Sequence, residues 1–338
     1  MASTANREVA VVTGGTAGAG RAIVRELAVS GYDVAILARG RAGLDGAAGD
    51  VDSAGGKALP ITVDVADQDA VRQAATQVED TLGEIAVWVN TAFAGSLAFS
   101  WDTDMAEFRR ITEVSYYGQV HGTLAALERM RPRDRGVIIN VGSAMAYRSI
   151  PLQAAYCGAK HAVKGFTESV MTELVHDKSK VELCTVQLPG LNTPQFNWNA
   201  SKMPRHPMPV PPIFQPELAG RAVAFLARHP RRNMWVGIAT AYTILGERIA
   251  PKVLDVFLGR TGVNSQQTDA DLPRWGANLF EPQDEQADRG AHGPFDDQAH
   301  SRDPVLWLSR HRRAVLTGMA GLTATCSALA ARSGRKRR

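Results

Sequence analysis

Short apolar runs alternate with longer amphipathic stretches over the first 240 residues. Residues 8–13, EVAVVT, read as a buried strand, followed by a glycine-rich turn, TGGTAGAG, and a helix to about Ser30. Further strands are expected at Tyr32–Ala38, Leu59–Val65, Ile85–Asn90, Gly136–Val141, Val181–Leu188 and Met234–Ala239. Between them, helices are expected at Ala66–Leu82, Asp104–Met130, Gln153–Val175 and Pro216–Arg228. Runs that are apolar throughout fit strands covered on both faces, and the regular alternation with helices implies a parallel sheet with right-handed crossovers. The pattern therefore predicts an α/β, doubly wound single domain. In such a sheet ligands bind at the carboxyl ends of the strands, where Gly14, Asn90 and Ser143 all fall.

The pattern changes past about residue 246. Residues 6–246 read as the α/β domain, 247–303 as an extension with a short helix at Ala250–Leu258 and then a polar stretch, and 304–338 as an apolar C-terminal helix with basic flanks. Trp275, Phe280 and Phe295 suggest that the polar stretch lies on the body. Residues 302–338 carry nine Lys/Arg against one acid, whereas the other 301 residues carry 29 against 33. The basic character thus belongs to the tail, and the body gives no reason to expect nucleic acid. Residues 314–331 are uncharged over 18 positions, the lower limit for a membrane span, and only weakly apolar. Membrane contact and docking on a partner subunit are both compatible with that composition. Cys157, Cys184 and Cys326 form no disulfide framework, and no secretory leader is visible, so a cytoplasmic protein is expected. His292 and His300 have no nearby cysteine, and no metal site is expected.

Three places carry candidate chemistry. Glycines 14, 18 and 20 permit a tight turn and close approach of a pyrophosphate to a helix N-terminus. After the second strand, Ala38-Arg39 stands where an acid would select NAD; arginine there suits a 2′-phosphate and points to NADP(H), the plain alternative being a solvated side chain. Tyr156 and Lys160 lie one helical turn apart, and Ser143 ends the preceding strand. A lysine cation favours the phenolate, so the three form a proton-transfer unit once a cofactor site stands upstream.

TGGTAGAG, Asp64-Val65, Asn90, Ser143, Tyr156-x-x-x-Lys160 and Pro189-Gly190, in this order, resemble the short-chain dehydrogenase/reductases, and WVN, YRSIPLQAAYCGAKHAVKGFTES and PVLWLSRHRRA resemble a bacterial subgroup with a C-terminal extension. The resemblance implies a Rossmann-type fold. It implies Tyr156 as acid/base, Lys160 lowering its pKa and holding the nicotinamide ribose, and Ser143 orienting the carbonyl. Thr13, Gly14, Thr16, Gly18 and Gly20 would form the nucleotide turn. Asp64 and Val65 would contact adenine, Asn90 would support the cofactor, and Pro189, Gly190 and Thr193 would sit by the nicotinamide.

Two positions depart from the family pattern. Phe93 stands where glycine is usual. Ser115 stands where an asparagine usually holds the water that links the lysine to solvent, and serine has fewer donors and a shorter reach. After Pro189-Gly190, seven prolines interleave with Phe196, Trp198, Met203, Met208, Ile213 and Phe214. The resemblance places a substrate lid here, which suits a hydrophobic substrate; packing of the loop onto the body is the alternative. Members of the family often pair through the two long helices, so a homodimer or homotetramer is implied. The reading that follows is an NADP(H)-dependent oxidoreductase interconverting a small-molecule carbonyl and a secondary alcohol. The alternatives are a non-catalytic NADPH-binding module tethered by its tail, and a dehydratase or epimerase on the same fold.

Overall fold

Strands form where the apolar runs are covered on both faces: Val9, Ala10, Val11 and Val12 are each at most 2% exposed, and Val34 to Leu37 are fully buried. The computed structural model describes residues 7–272 and 276–312. In chain order the elements are β1 (Glu8–Thr13), α1 (Gly18–Val29), β2 (Tyr32–Ala38), α2 (Arg41–Ser53), β3 (Ala58–Thr62), α3 (Gln68–Thr81), β4 (Ile85–Asn90) and β5 (Ser96–Leu97). There follow α4 (Met105–Thr112), a π-helical turn (Glu113–Tyr117), α5 (Gly118–Met130), β6 (Val137–Ser143), α6 (Ala154–His176), β7 (Glu182–Leu188), α7 (Gln195–Trp198), β8 (Ala200–Ser201) and β9 (Arg205–Pro207). The chain continues through α8 (Glu217–Arg228), β10 (Asn233–Trp235), α9 (Ile238–Ile249), α10 (Pro251–Thr261) and β11 (Gln267–Asp271).

Seven strands make one sheet in the order β10-β7-β6-β4-β1-β2-β3, every neighbouring pair parallel. Helices α1, α2 and α8 bury Ile23, Val24, Leu27, Leu44, Val51 and Leu218 against one face. Helices α3, α5 and α6 bury Val71, Ala126, Val170 and Leu174 against the other. This is the doubly wound Rossmann-type fold expected.

Some local readings change. Helix α2 is absent from the hydrophobic pattern because its sequence, RAGLDGAAGDVDS, is rich in glycine and aspartate, which are poor helix formers. Tertiary contacts supply what propensity does not. Leu44, Ala47 and Val51 pack on the sheet, and the extension receives the first amides of the helix. The last strand ends at Trp235 rather than Ala239, because Gly237 takes φ +81° and its amide donates to the Asp303 carboxylate. The helix expected at Asp104–Met130 contains a π-helical turn at 113–117, a distortion frequent at functional sites. The extension lies on the body: Leu279, Ala291 and Phe295 are buried, whereas Phe280 is exposed. Trp275 and the apolar stretch 314–331 fall outside the described residues. Among the described residues no helix is long and apolar enough to cross a membrane.

A buried polar network joins the middle of the sheet to two helices. Asn90 Nδ2 donates to Asn140 Oδ1 (2.8 Å) and Thr123 Oγ1 (3.1 Å), while its Oδ1 accepts from Trp88 Nε1 (2.8 Å). Asn140 Nδ2 donates in turn to Thr167 Oγ1 on α6 (2.9 Å). Removing one member leaves buried partners unsatisfied, each at a cost of about 1–3 kcal/mol. Asn140→Ala is therefore expected to lower unfolding stability by about 2–4 kcal/mol in a urea titration; a loss below about 0.5 kcal/mol, the range of ordinary surface substitutions, would contradict this account.

Candidate functional site

The turn between β1 and α1 is shaped by close backbone approach. Gly14 has φ +69°, and a Cβ on Gly20 would lie 2.0 Å from the Gly14 carbonyl oxygen. Ala17, the N-cap of α1, offers no side-chain acceptor. Thr13 faces away from the cleft: its Oγ1 accepts from the amides of Thr91 (3.2 Å) and Ala92 (3.4 Å), tying the end of β1 to the end of β4.

One cavity of about 250 Å³ runs along the carboxyl ends of the strands. Gly14, Thr16, Gly18, Gly20, Arg39, Asp64, Val65, Ser143, Tyr156, Lys160, Pro189, Gly190 and Thr193 all line it. Thr13, Asn90 and Ser115 do not. Asn90 is fully buried in the network below the cleft, so any support it lends the site is indirect. The Ser115 hydroxyl donates to the Ala94 carbonyl (2.8 Å) and accepts from the Ala94 amide (3.0 Å). With those bonds made, Ser115 pins the loop after β4, and the bond made by the lysine goes elsewhere.

Ser143, Tyr156 and Lys160 meet where β6 faces the first turns of α6. The Tyr156 hydroxyl is hydrogen-bonded to Ser143, whose Oγ also accepts from the Met145 amide (3.2 Å). Lys160 Nζ donates to the Val141 carbonyl (2.7 Å) and lies 5.6 Å from the centre of the Tyr156 ring. Burial pushes the Tyr156 phenol up, against the pull of the Ser143 bond. Burial likewise pushes the Lys160 ammonium down to about 7. Burial is the largest influence on the phenol in this arrangement, and the Ser143 bond rather than Lys160 is what opposes it. Phe93 packs edge-on against Tyr156 with ring centres 5.1 Å apart, so the departure from glycine becomes a wall beside the phenol.

From the proline-rich segment, Phe196 and Trp198 reach the cavity, as do Pro209 and Val210. The other apolar residues of the proline-rich segment pack elsewhere. Met203 sits with Leu97 and Leu152, Ile213 sits with Phe196 and Phe295, and Phe214 joins the main core. The extension completes this segment: β11 pairs antiparallel with β9, the Asn278 amide donates to the Trp198 carbonyl, and the Phe295 amide donates to Asn192 Oδ1.

Sequence reasoning missed the reach of the extension at the other end of the cleft. Asn278 and Asp284 line the cavity beside Arg39. The Arg39 guanidinium donates to the carbonyls of Asn278 (2.7 Å) and Phe280 (2.8 Å), and at 3.4 Å to that of Leu279. Asp64 is bonded to Arg110, and this bond with the Ala66 amide holds its carboxyl below the usual range despite burial. Arg21, buried in α1, bonds both Asp50 of α2 and Asp288 of the extension. The Gly18 amide donates to the Gly290 carbonyl (3.0 Å). No periodicity marks residues 276–300, so no pattern in the sequence foretells these contacts. Among the described residues no cluster of His, Cys, Asp and Glu could hold a metal.

His292 latches the extension to α8. Its Nε2 lies 2.7 Å from Glu217 Oε1 and its Nδ1 2.8 Å from Asp296 Oδ1. Burial disfavours its charge, but the two carboxylates outweigh burial and raise its pKa above the ordinary 6.5. A raised pKa means that the contribution of the latch is full below the unfolded value and is lost as pH rises through the folded one. Hydrogen exchange of residues 288–300 is therefore expected to quicken above neutrality, with the step removed in His292→Ala; identical pH profiles would contradict the latch.

The family model for short chain dehydrogenase matches residues 8–203. An uncharacterized oxidoreductase of Bacillus subtilis is 28% identical over 330 residues, which cover 95% of this chain and 90% of that one. A 3-oxoacyl-(acyl-carrier-protein) reductase of Bos taurus is 31% identical over 176 residues, 52% of this chain and 73% of that one. Among solved structures, an alcohol dehydrogenase from the archaeon Thermococcus sibiricus, complexed with 5-hydroxy-NADP, is similar with a TM-score of 0.60 and 23% identity, covering 68% of this chain and 95% of that one. That last likeness is one of fold.

Proposed function

The chain belongs to the short-chain dehydrogenase/reductase family of oxidoreductases, and on that premise we propose that it interconverts a small carbonyl compound and the corresponding secondary alcohol. The observation that carries this reading is the meeting of Ser143, Tyr156 and Lys160 in the same cavity as the glycine turn. The family binds a nicotinamide cofactor, and the residues present fit one. Gly14 and Gly20 form a turn so tight that a Cβ at either would collide with the backbone of Ala92 or Gly14, and Thr193 Oγ1 is buried in the cleft without a hydrogen-bond partner among the described residues. Glycines 14, 18 and 20 would hold the pyrophosphate, and Thr193 with Pro189 and Gly190 the nicotinamide end. Asp64 and Val65 would face the adenine.

When bound, such a dinucleotide supplies or accepts the hydride. The rest falls to the protein. Tyr156 holds the exchangeable proton at its hydroxyl oxygen, and Ser143 shares a hydrogen bond with that oxygen, so both groups converge on the place of a substrate oxygen. Lys160, bonded to the Val141 carbonyl, fixes the base of the site and carries a proton that burial makes labile near neutrality. Phe93, Phe196 and Trp198 keep water from the reacting carbon and favour an apolar substrate. Arg39 is the sequence's argument for NADP(H). In the fold the Arg39 guanidinium is spent on carbonyls of the extension, so the choice at the 2′ position passes to the extension. Exposed Leu124 on α5 and Val175 on α6 support an oligomer built on those helices.

General acid–base groups contribute about 10²–10⁴-fold to rate. Tyr156→Phe is accordingly expected to lower turnover on a panel of apolar ketones by at least about 10²-fold while leaving dinucleotide affinity within about twofold. Turnover at the wild-type rate in this variant would remove Tyr156 from the chemistry.

A further inference from the structure

We propose that the C-terminal extension sets the choice of dinucleotide: the segment Asn278–Glu285 fills the place of a 2′-phosphate, and Asp284 receives the 2′-hydroxyl of NAD(H) in its stead. This rests on the nucleotide reading of the cleft given above. Strand β2 ends at Ala38 and offers no acid at that end. The extension brings one to that spot from almost 250 residues away in sequence. Asp284 is 6% exposed and lines the cavity with Thr16, Ala38 and Arg39; its carboxylate lies against Gly40 and Gly43, and the Arg39 cation acts on it through charge rather than through a hydrogen bond. The Arg39 cation beside it favours its charge, and a ribose hydroxyl is a donor its free oxygens would accept.

The groups that would grip a 2′-phosphate are already engaged. One set is the Arg39 guanidinium, which donates to the carbonyls of residues 278–280. The other is the N-terminus of α2, where free amides and the helix dipole favour anions. There the Arg41 amide donates to Glu285 Oε2 (3.0 Å), the Ala42 amide to the Glu285 carbonyl (3.2 Å) and the Gly43 amide to the Asp284 carbonyl (3.0 Å).

The approach is built into α2 and its N-cap. A Cβ on Gly40 would lie 1.9 Å from Asp284 Oδ1, one on Gly43 2.3 Å from Oδ2, and one on Gly46 2.2 Å from Asp288 Oδ2. These three glycines, each three residues from the next, form the groove in which the acidic segment lies. A phosphate carrying close to two charges would meet the Asp284 carboxylate at close range in a water-poor site, where like charges repel strongly.

The test is a fluorescence titration of the full chain with NADH and NADPH, for the wild type and for Asp284→Asn and Asp284→Ser, with thermal melts as a control for folding. The expected result is wild-type preference for NADH of at least about tenfold, which falls by at least about tenfold in both variants, chiefly through tighter NADPH binding; every 1.4 kcal/mol of lost repulsion gives a factor of ten. Wild-type preference for NADPH, or a ratio unchanged in folded variants, overturns the assignment while leaving the dinucleotide site intact. Failure of the wild type to bind either dinucleotide overturns the reading of the cleft itself, and this proposal with it. Should the variants not fold, competition of ADP-ribose against its 2′-phosphorylated form on the wild type decides the matter: equal or stronger binding of the phosphorylated form overturns the proposal.

Discussion

The hydrogen bond from Asn90 to Asn140 is the contact on which the rest of the site depends. It lies across the central pair β4 and β6, in a layer where no water competes. Thr123 carries it to α5 and Thr167 carries it to α6. Asn140 stands three residues before Ser143, and Thr167 stands two helical turns beyond Lys160. One satisfied network therefore sets the distance between the strand that presents the serine and the helix that presents the tyrosine and lysine. Half-satisfied, it would cost more than an apolar core, which ties the stability of the fold to the geometry of the cleft.

Burial acts on the two titratable groups of the cleft in opposite directions. Tyr156 is pushed up and Lys160 down by the same desolvation. The hydroxyl of Ser143 works against that push. Phe93 deepens the enclosure from one side, and Phe196 and Trp198 do so from the other. Ser115 fixes the loop that carries Phe93 by bonding both backbone groups of Ala94.

The extension gives the cleft its second wall. A single stretch touches Arg39 and Gly43 beside α2, the glycine turn at Gly18 and the segment after β7 at Asn192. Arg21 ties α1 to α2 and to the extension together. The two ends of the cavity are thereby joined by one piece of chain, latched to α8 through His292.

The strands, most helices, the glycine turn and the Ser143–Tyr156–Lys160 unit were legible in the chain because each is encoded locally. Apolar runs mark buried strands, Gly20 is demanded because a Cβ there would collide with the Gly14 carbonyl, and a four-residue spacing puts two side chains on one helical face. Helix α2 was not legible, since its glycines weaken the helix and serve instead to admit another segment. The partners of Arg39, the position of the Asp284 carboxylate and the inward turn of Asn90 and Ser115 were not legible either. Each depends on which distant backbone arrives beside it, and a polar stretch without periodicity carries no signal of where it will lie. Tertiary structure decided these, because hydrogen bonds to buried carbonyls and amides are chosen by proximity after folding rather than by spacing along the chain.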